Sequence, residues 1–320
     1  MRYPSPPART ADVNPLVAQD KPDHRERRRR RELGLVLFVA PTVVFLVVFV
    51  LYPLVYNLWL SLTNAKLLGT TPRFVWFDNY IRLFTSPTFG RYLWNTVVWT
   101  AISVVLQMIV GLGLALLINR KNLAFGTALR TFLLIPYVVP AVALALVTKW
   151  VMNGDYGIVA TWLQSLGLIA YRQSPLALPA YAMAVVILVN VWRSYPFPML
   201  IYWAALKGID AELYEAASVD GAGWWKSFWY ITLPALKNTT IVLLVLRIVW
   251  TATYFDLIWM ITGGGPAGST THLPIMIYQA SFGTFQTGYA AAISMVLGLM
   301  LAAGVVFYVR QSLATNNTAK

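Results

Sequence analysis

Few side chains in this sequence could make or break covalent bonds. Its 320 residues include no cysteine and two histidines, His24 and His272. The lack of cysteine excludes thiol nucleophiles, disulfides and cysteine-ligated zinc. So small a number of histidines argues against a Ser-His-Asp triad and against a histidine metal site. The inventory of general acids and bases is therefore poor for an enzyme, and no catalytic or metal-ligating residues are expected.

One segment approaches a nucleotide-binding loop without meeting its chemical requirement. The sequence GGGPAGST at 263–270 has Gly263, Gly268 and Thr270 at the spacing of the phosphate loop G-x-x-x-x-G-K-[ST]. However, Ser269 occupies the position from which a lysine must reach the β- and γ-phosphates, and an apolar span rather than a strand precedes the segment. We therefore predict a turn here and no nucleotide site.

The composition is that of a membrane protein. Hydrophobic residues make up 58% of the chain, charged residues only 12%, and the mean hydropathy is +0.61. Soluble domains carry about 25% charged residues, and a globule of this size would need more polar surface. The 25 Lys and Arg residues against 12 Asp and Glu residues give a net charge of +13, so the placement of the cations matters.

Six apolar stretches are long enough to cross a membrane, which takes about 20 residues in a helix. They lie at 33–62, 93–118, 131–152, 177–206, 239–261 and 289–309. Prolines within them indicate either packing kinks or hinges and site linings. These prolines are Pro41, Pro53, Pro136, Pro140, Pro196 and Pro198. We predict an all-α, polytopic integral membrane protein with about six transmembrane helices.

The cationic residues set the expected orientation. Residues 1–32 carry nine Lys and Arg residues. With this end in the cytoplasm, more of the remaining cations fall in the inner loops than in the outer ones, as the positive-inside rule requires. We expect a basic cytoplasmic tail at 1–32, a transmembrane permease domain at 33–310 and a cytoplasmic tail at 311–320. The basic tail suits the surface of a lipid bilayer, and no nucleic-acid partner is expected.

The loop between the fourth and fifth spans, residues 207–238, has a pattern of its own. Asp210 is a good N-cap, because its carboxylate can accept the free amides of a first helical turn. Good helix formers follow, and Gly221 suits the left-handed position that ends a helix. A second helix is expected at 224–233, with Pro234 breaking or restarting it. The pattern thus predicts two short helices outside the bilayer.

Small residues in the first of these helices would let another protein approach its backbone closely, although a solvated connector is equally compatible with the pattern. The loop reads Glu215-Ala216-Ala217, three residues, Gly221, nine residues, then Ile231-x-Leu233-Pro234. At this spacing, between spans four and five, it resembles the EAA loop of bacterial ABC importer permeases. Similarity to the carbohydrate-uptake branch of that family, the maltose and glycerol-phosphate type, covers about 33–310 and includes ITGGGPAGST at 261–270.

The resemblance implies a permease subunit of a binding-protein-dependent importer, coupled to a cytoplasmic ATPase through the EAA loop. The residues expected in this coupling loop are Glu215, Ala216, Ala217, Gly221, Leu233 and Pro234. Expected partners are a second permease subunit, two ATPase subunits, an extracytoplasmic solute-binding protein and a sugar substrate. ATP and Mg²⁺ would bind to the ATPase subunits, and this chain would bind no cofactor. It would lie in the bacterial cytoplasmic (inner) membrane with both termini in the cytoplasm.

Polar and aromatic side chains within the spans are candidates for the substrate pathway. Sugars present apolar C–H faces and many hydroxyl groups, which suit aromatic rings and hydrogen-bonding side chains. The candidates are Gln107, Asn190, Trp192, Tyr195, Tyr254, Asp256 and Trp259. Packing or a position at the membrane boundary is the alternative for each. The ionisable Arg193, Arg247 and Asp256 should face protein or water. Either these residues pair with one another, or Arg247 pairs with carbonyls that kinks leave free, or the residues belong to the pathway or its gate.

Two other classes of function are open at this point. A self-contained secondary transporter or channel would share the six spans. Asp256 is the one plausible acid within them, however, whereas a proton-coupled carrier usually needs more. A membrane-embedded enzyme would need a richer set of acids and bases than the spans offer.

Overall fold

The computed structural model describes residues 38–69, 71–120 and 126–317. The predicted basic tail at 1–32 lies outside the described residues, and so does the end of the C-terminal tail at 318–320. The chain divides into two compact units, Met1–Tyr56 and Asn57–Lys320. Apart from one isolated bridge, the described ranges contain helices, turns and irregular backbone, and the predicted all-α class is confirmed.

Helix α1, Phe38–Ser61, begins in the first unit and has the length and hydropathy of a membrane span. From Phe38 to Tyr56 its large apolar side chains are exposed, as expected for a helix that an apolar environment surrounds. A π-helical turn at Val47–Leu51 lies two residues before Pro53. Proline has no N–H and crowds the carbonyl four residues earlier, and the wider turn confines this disturbance to one point in a continuous helix.

The other helices lie in the second unit. Their bounds are α2 Asp78–Thr85, α3 Phe89–Ile118, α4 Gly126–Val138, α5 Ala141–Val151, α6 Ile158–Ser165, α7 Pro179–Ser194, α8 Pro196–Lys207, α9 Ala211–Val219, α10 Trp224–Ala235, α11 Lys237–Ala252, α12 Asp256–Thr262, α13 Leu273–Tyr278 and α14 Thr287–Asn317. Within α10, a π-helical turn at Phe228–Thr232 lies two residues before Pro234. The spacing is the same as before Pro53 in α1, so two prolines are accommodated in the same way.

Three of the described helices, α1, α3 and α14, are long and apolar enough to cross a membrane unbroken. Three further apolar spans are bent pairs of helices. The bend is 90° between α4 and α5, 42° between α7 and α8, and 64° between α10 and α11. If each pair is one span, the described residues supply six spans, the number that the sequence predicts, although the sequence pattern predicts α10 outside the bilayer and not in the fifth span.

Two of the bends have a proline at the break. Pro140 follows α4, and Pro196 opens α8 directly after α7. Neither ring nitrogen can donate to the carbonyl one turn earlier, and a proline disfavours helical geometry in the residue before it. These two prolines lie at bends, which fits both roles that the sequence leaves open for them, whereas Pro136 and Pro198 lie inside α4 and α8.

The prediction of one helix across 239–261 is wrong. The helix ends at Ala252, three residues are non-helical, and α12 begins at Asp256. The hydroxyl of Thr253 donates to the carbonyl of Val249 at 2.9 Å, and such local side-chain bonds compete with the helical ladder. Because no proline marks this break and the hydropathy continues across it, the sequence pattern did not reveal it.

Helix α3 is the centre of the second unit, because α7, α8, α11 and α13 all pack against it. Near its start, Trp99 belongs to a buried cluster with residues of α5, α7 and α12. Further along, Met108 and Ile118 pack with residues of α8 and α11. A third cluster joins α2, α13 and α14. The broken spans are therefore assembled on one continuous helix.

The contact between α3 and α8 depends on a glycine. A Cβ atom on Gly111 would lie 2.7 Å from the Cβ atom of Pro198 and 3.0 Å from the backbone nitrogen of Met199. The first distance is shorter than real Cβ contacts and the second is tight, so the missing side chain permits the close approach. Gly113, two residues further along the same helix, has no atom within 4 Å of its ideal Cβ position.

We expect Gly111→Val to lower the melting temperature of the full-length protein in mild detergent, because the added side chain forces α3 and α8 apart. Overpacking of this kind typically costs about 1–3 kcal/mol. Gly113→Val makes the same change where there is space, and it should leave the melting temperature nearly unchanged. An equal fall in both variants would contradict this account of the α3–α8 contact.

Candidate functional site

The loop between α8 and α11 folds into the two short helices α9 and α10. The Asp210 side chain accepts a hydrogen bond from the Glu212 amide at 3.1 Å and so caps α9. At the other end, Gly221 has φ +75°, and the Ala222 amide donates to the Ala217 carbonyl at 2.8 Å. This left-handed ending fixes the direction in which the chain leaves α9.

Helix α9 has no buried residue. Glu215 and Ala216 are exposed and Ala217 is half-buried, so the small side chains lie at the surface. Leu213 is 52% exposed and Val219 is 88% exposed. Exposed apolar side chains on an otherwise unburied helix favour a surface that another protein covers.

Helix α10 is bonded to α9. The hydroxyl groups of Tyr214 and Thr232 lie 2.9 Å apart and form a hydrogen bond between the two helices. Leu233 is half-buried, while Pro234 is exposed directly after the π-helical turn. The two ends of the predicted coupling motif thus lie on two helices that a hydrogen bond joins.

A cavity of about 180 Å³ lies where the breaks in the spans meet. Its lining combines hydroxyl, amide, aromatic and guanidinium groups. The lining residues are Tyr137, Asn190, Arg193, Ser194, Arg247, Trp250, Thr251 and Tyr254. Among the predicted pathway residues, the structure brings together Asn190 and Tyr254 here, and Gln107 is bonded to Arg247 beside them.

Arg247 is only 6% exposed and is bonded to a neutral group. Its Nε and Nη2 atoms donate to Oε1 of Gln107 at 2.8 and 2.5 Å, which joins α11 to α3. A buried guanidinium needs acceptors, because an unpaired buried charge is costly. The acceptor recorded among the described residues is this amide oxygen, and not a carbonyl freed at a kink.

A hydrogen bond to a carbonyl at a kink, which the sequence suggests for Arg247, is instead made by Arg193. Its Nε atom donates to the carbonyl of Val139, in the bend between α4 and α5, at 3.3 Å. Its Nη1 atom donates to the hydroxyl of Tyr254 at 2.9 Å. An arginine within a span therefore donates a hydrogen bond to a backbone carbonyl at a break between two helices.

Several polar atoms around the cavity have no hydrogen-bond partner within the described part of the chain. They include Nε2 of Gln107, Nδ2 of Asn190 and Oγ1 of Thr251. On the face of α3 that carries Gln107, the buried hydroxyl groups of Ser103 and Thr100 are in the same condition. Buried polar atoms without a protein partner call for another one, such as a water molecule or a polar group of a solute.

The last turn of α11 and the non-helical residues after it are held by two buried side chains. The indole N–H of Trp99 donates to the Thr251 carbonyl at 2.8 Å, and Nε2 of His272 lies 2.9 Å from the Tyr254 carbonyl. Since a carbonyl carries no proton, Nε2 must be the donor. Burial lowers the pKa of His272, in the segment between α12 and α13, to about 4, so its ring is neutral at pH 7.

Besides Gln107, four predicted pathway residues lie outside the cavity lining. Trp192 is 44% exposed, and Asp256 is exposed at the start of α12. Tyr195 is buried in the apolar cluster with residues of α3 and α8. Trp259 stacks against Phe255, with ring centres 5.6 Å apart. The structure therefore gives these four residues packing or surface positions.

The cavity also contains residues that the sequence interpretation missed, namely Tyr137, Ser194, Trp250 and Thr251. Helical spacing could have identified two of them, because Trp250 and Thr251 follow Arg247 by three and four residues and share its face of α11. Tyr137 gives no such signal, since it reaches the cavity through the bend between α4 and α5.

The glycine-rich turn at 263–270 is bonded to α3 and lacks the context of a phosphate loop. Nδ2 of Asn95 donates to the carbonyls of Gly268 and Thr271 at 3.0 and 2.9 Å. The hydroxyl of Thr270 donates to the Gly265 carbonyl, inside the turn, at 2.8 Å. With helix α12 before it instead of a strand, the segment is an ordered turn.

Comparison with known proteins decides the family. The family described as the binding-protein-dependent transport system inner membrane component matches residues 107–314. The chain belongs to this family. The matched range contains the broken spans, the loop with α9 and α10, and the cavity. The protein is therefore a multi-pass permease component of an ABC importer, and the comparisons give no support to a self-contained carrier.

Known permeases are similar over most of their length. The sulfoquinovosyl glycerol transport system permease protein SmoG of Agrobacterium fabrum is 36% identical over 280 residues, covering 86% of this chain and 89% of that protein. The trehalose/maltose transport system permease protein MalF of Thermococcus litoralis is 32% identical over 282 residues, covering 88% and 94%.

Solved structures show the same fold. One is the crystal structure of a bacterial alginate ABC transporter in complex with an alginate pentasaccharide-bound periplasmic protein. A chain of that structure matches with a TM-score of 0.76 and 25% identity, covering 89% of this chain and 96% of that chain. The arrangement of spans found here is therefore that of an ABC transporter permease.

We expect Gln107→Leu to destabilise this permease, because Arg247 would stay buried without its acceptor. Loss of a hydrogen bond to a charged group costs about 1.5–3 kcal/mol. Gln107→Glu keeps an oxygen acceptor and adds an opposite charge, so it should preserve or raise the melting temperature in detergent. Equal destabilisation by the two substitutions would show that the hydrogen bond is not the source of the effect.

Proposed function

We propose that this chain is one of two permease subunits of an ATP-driven importer that takes up a sugar or oligosaccharide. The observation that carries the proposal is the exposed helix α9, which bears Glu215-Ala216-Ala217 between two broken spans in a chain of this family. The chain forms half of the translocation pathway. ATP and Mg²⁺ bind to separate ATPase subunits, which hydrolyse the ATP.

Helix α9 is suited to receive a displacement from an ATPase. The small side chains of Ala216 and Ala217 let a groove approach the backbone, and Glu215 offers a carboxylate for a polar contact. Only three residues join α8 to α9, and four join α9 to α10. A movement of α9 therefore reaches the spans through short connections, and the spans alternate between outward-facing and inward-facing arrangements.

The assembly contains a second permease, two ATPase subunits and an extracytoplasmic solute-binding protein. The family's dependence on a binding protein supports the last of these, and the alginate transporter structure includes a periplasmic protein. The exposed apolar side chains of α1 suit contact with the lipid bilayer and with the second permease.

A carbohydrate is the proposed substrate. SmoG, MalF and the alginate transporter are named for sulfoquinovosyl glycerol, for trehalose and maltose, and for alginate. The cavity suits this class chemically. Trp250 and Tyr254 offer ring faces for C–H groups, and Asn190 and Thr251 offer unpaired polar atoms for hydroxyl groups.

The first test concerns the coupling loop. We expect Gly221→Val to reduce recovery of the ATPase subunit with the tagged permease from detergent-solubilised membranes by about tenfold. The position has room for a side chain, but φ +75° strains valine, so the end of α9 must rearrange. Backbone strain of this kind costs on the order of 1–3 kcal/mol, and each 1.4 kcal/mol is about tenfold in affinity.

Two substitutions are matched controls for this test. Gly221→Asn should retain most of the ATPase, because asparagine tolerates the left-handed conformation. Gly167→Val makes the same change at φ +69°, also in open surroundings, but lies after α6, outside the coupling loop. Unchanged assembly and transport-linked ATP hydrolysis in Gly221→Val would disprove the coupling role. A lone permease that moves maltose into liposomes without ATP would favour the carrier instead.

The second test concerns orientation in the bacterial inner membrane. We propose that both termini and the loop with α9 face the cytoplasm, in keeping with the distribution of cations. Because the chain has no cysteine, single cysteines can be placed at Tyr171 and Tyr230, which are 85% and 81% exposed. A membrane-impermeant maleimide should label Tyr171→Cys in intact spheroplasts, and Tyr230→Cys only after permeabilisation. The reverse pattern would invert the topology.

A further inference from the structure

Three breaks between helices meet at one side chain, that of Arg193: the α4–α5 bend, the α7–α8 bend and the non-helical segment between α11 and α12. This residue lies in the last turn of α7, directly before the break that Pro196 causes, and it lines the cavity. Its Nε atom bonds to Val139, in the bend between α4 and α5. Its Nη1 atom bonds to Tyr254, between α11 and α12, and its guanidinium carbon is 5.6 Å from the centre of that ring.

Two of these breaks lie at the ends of helices that start from the coupling loop. Helix α8 is 12 residues long and leads from α9 to the break beside Arg193. Helix α11 is 16 residues long and leads from α10 to the break that contains Tyr254. At 1.5 Å per residue, these two helices span roughly 18 and 24 Å. Arg193 therefore connects the ends of α8 and α11 that lie away from the coupling loop, while the opposite ends of these helices lead to α9 and α10.

The bonds of Arg193 are suited to rearrangement. Both acceptors are neutral, and the ion pair recorded in the described part of the chain joins other residues, Arg172 and Asp155. A carboxylate would form stronger, bidentate bonds to the guanidinium. The Val139 bond, at 3.3 Å, is also long for an N–H···O bond. These contacts can therefore be exchanged when the angles of the breaks change.

An arginine is needed for this arrangement. Its planar guanidinium presents five donors in a fixed fork, so one side chain bonds in two directions at once. A lysine ammonium is a compact, strongly hydrated point charge on a flexible stem, and it does not hold two separate breaks at a fixed relative position.

We propose that Arg193 is a positioning residue that makes the three breaks change angle together, so that displacement of α9 becomes a concerted opening or closing of the pathway. This inference rests on the proposed transport function and requires no contact between Arg193 and the sugar. Without the side chain, each break adjusts separately, and ATP is consumed without matching movement of solute.

The test compares uptake with ATP hydrolysis by the complete importer in liposomes. The probe is whichever of maltose, trehalose or lactose stimulates ATP hydrolysis by the unmodified complex. We expect Arg193→Gln to assemble and to hydrolyse ATP, while the amount of sugar moved per ATP falls about tenfold, a common size for coupling between two sites. Arg193→Lys should also lower this ratio, because it keeps the charge but loses the fork.

A double-mutant comparison separates the Arg193–Tyr254 bond from other effects. Tyr254→Phe removes one acceptor and should lower the ratio of sugar to ATP. Combined with Arg193→Gln, it should lower the ratio no further, since the bond is already lost. Arg172→Gln is the control, because it removes an exposed arginine that is bonded to Asp155, and its ratio should be unchanged.

The possible outcomes are distinct. If Arg193 were merely structural, assembly, uptake and hydrolysis would fall in proportion, and a constant ratio of sugar to ATP overturns the proposal. Full additivity of the Arg193 and Tyr254 substitutions also contradicts it. Failure of the unmodified complex to couple ATP hydrolysis to uptake of any sugar would overturn the proposed function itself.

A second measurement needs no sugar. In the cysteine-free chain, spin labels can be attached at Leu146→Cys on α5 and Val242→Cys on α11, both exposed positions outside the cavity. In the assembled complex we expect a narrow distribution of distances between the labels, and a broader one when Arg193→Gln is added. An unchanged distribution would show that the breaks do not depend on Arg193.

Discussion

A hydrocarbon environment offers no donors, so every backbone carbonyl that a broken span releases must find one within the protein. Here the donors are the indole of Trp99, the imidazole of His272 and the guanidinium of Arg193, each from an element other than the one whose carbonyl it serves. Two interruptions of the helices, the bend between α4 and α5 and the segment between α11 and α12, thus receive donors from other elements. Arg193, one of these donors, also lines the cavity, so the bend between α4 and α5 accounts for part of the polar lining.

The same requirement connects the cavity to the surface where the ATPase is proposed to dock. Helix α3 is continuous and supports the bent spans, while α8 and α11 run from the loop with α9 and α10 to the breaks. Bent spans are thus packed against a continuous one. Glycine at position 111 allows the close contact of α3 with α8, and the left-handed Gly221 gives α9 a defined end.

The parts of this structure that depend on local pattern could be predicted from the sequence. Hydropathy over stretches of about 20 residues indicates the spans because membrane thickness selects their length. Asp210 and Gly221 act within one turn of the helix that they bound. The break after Ala252 could not be predicted, because no proline marks it and its carbonyls are served by residues distant in sequence. The hydrogen bond between Arg247 and Gln107 could not be predicted either, since 140 positions separate the two residues.

A route for sugars across an energised membrane must not conduct small ions. Arg193 and Arg247 place two positive charges beside the cavity, and the hydrogen-bond acceptors recorded for them in the described ranges are neutral. Positive groups lining a narrow path raise the electrostatic energy of Na⁺ or H₃O⁺ entering it, and the effect is strong where the surroundings polarise weakly. If the cavity belongs to the proposed pathway, the two guanidinium groups oppose the leakage of cations through it and so protect the ion gradients of the cell.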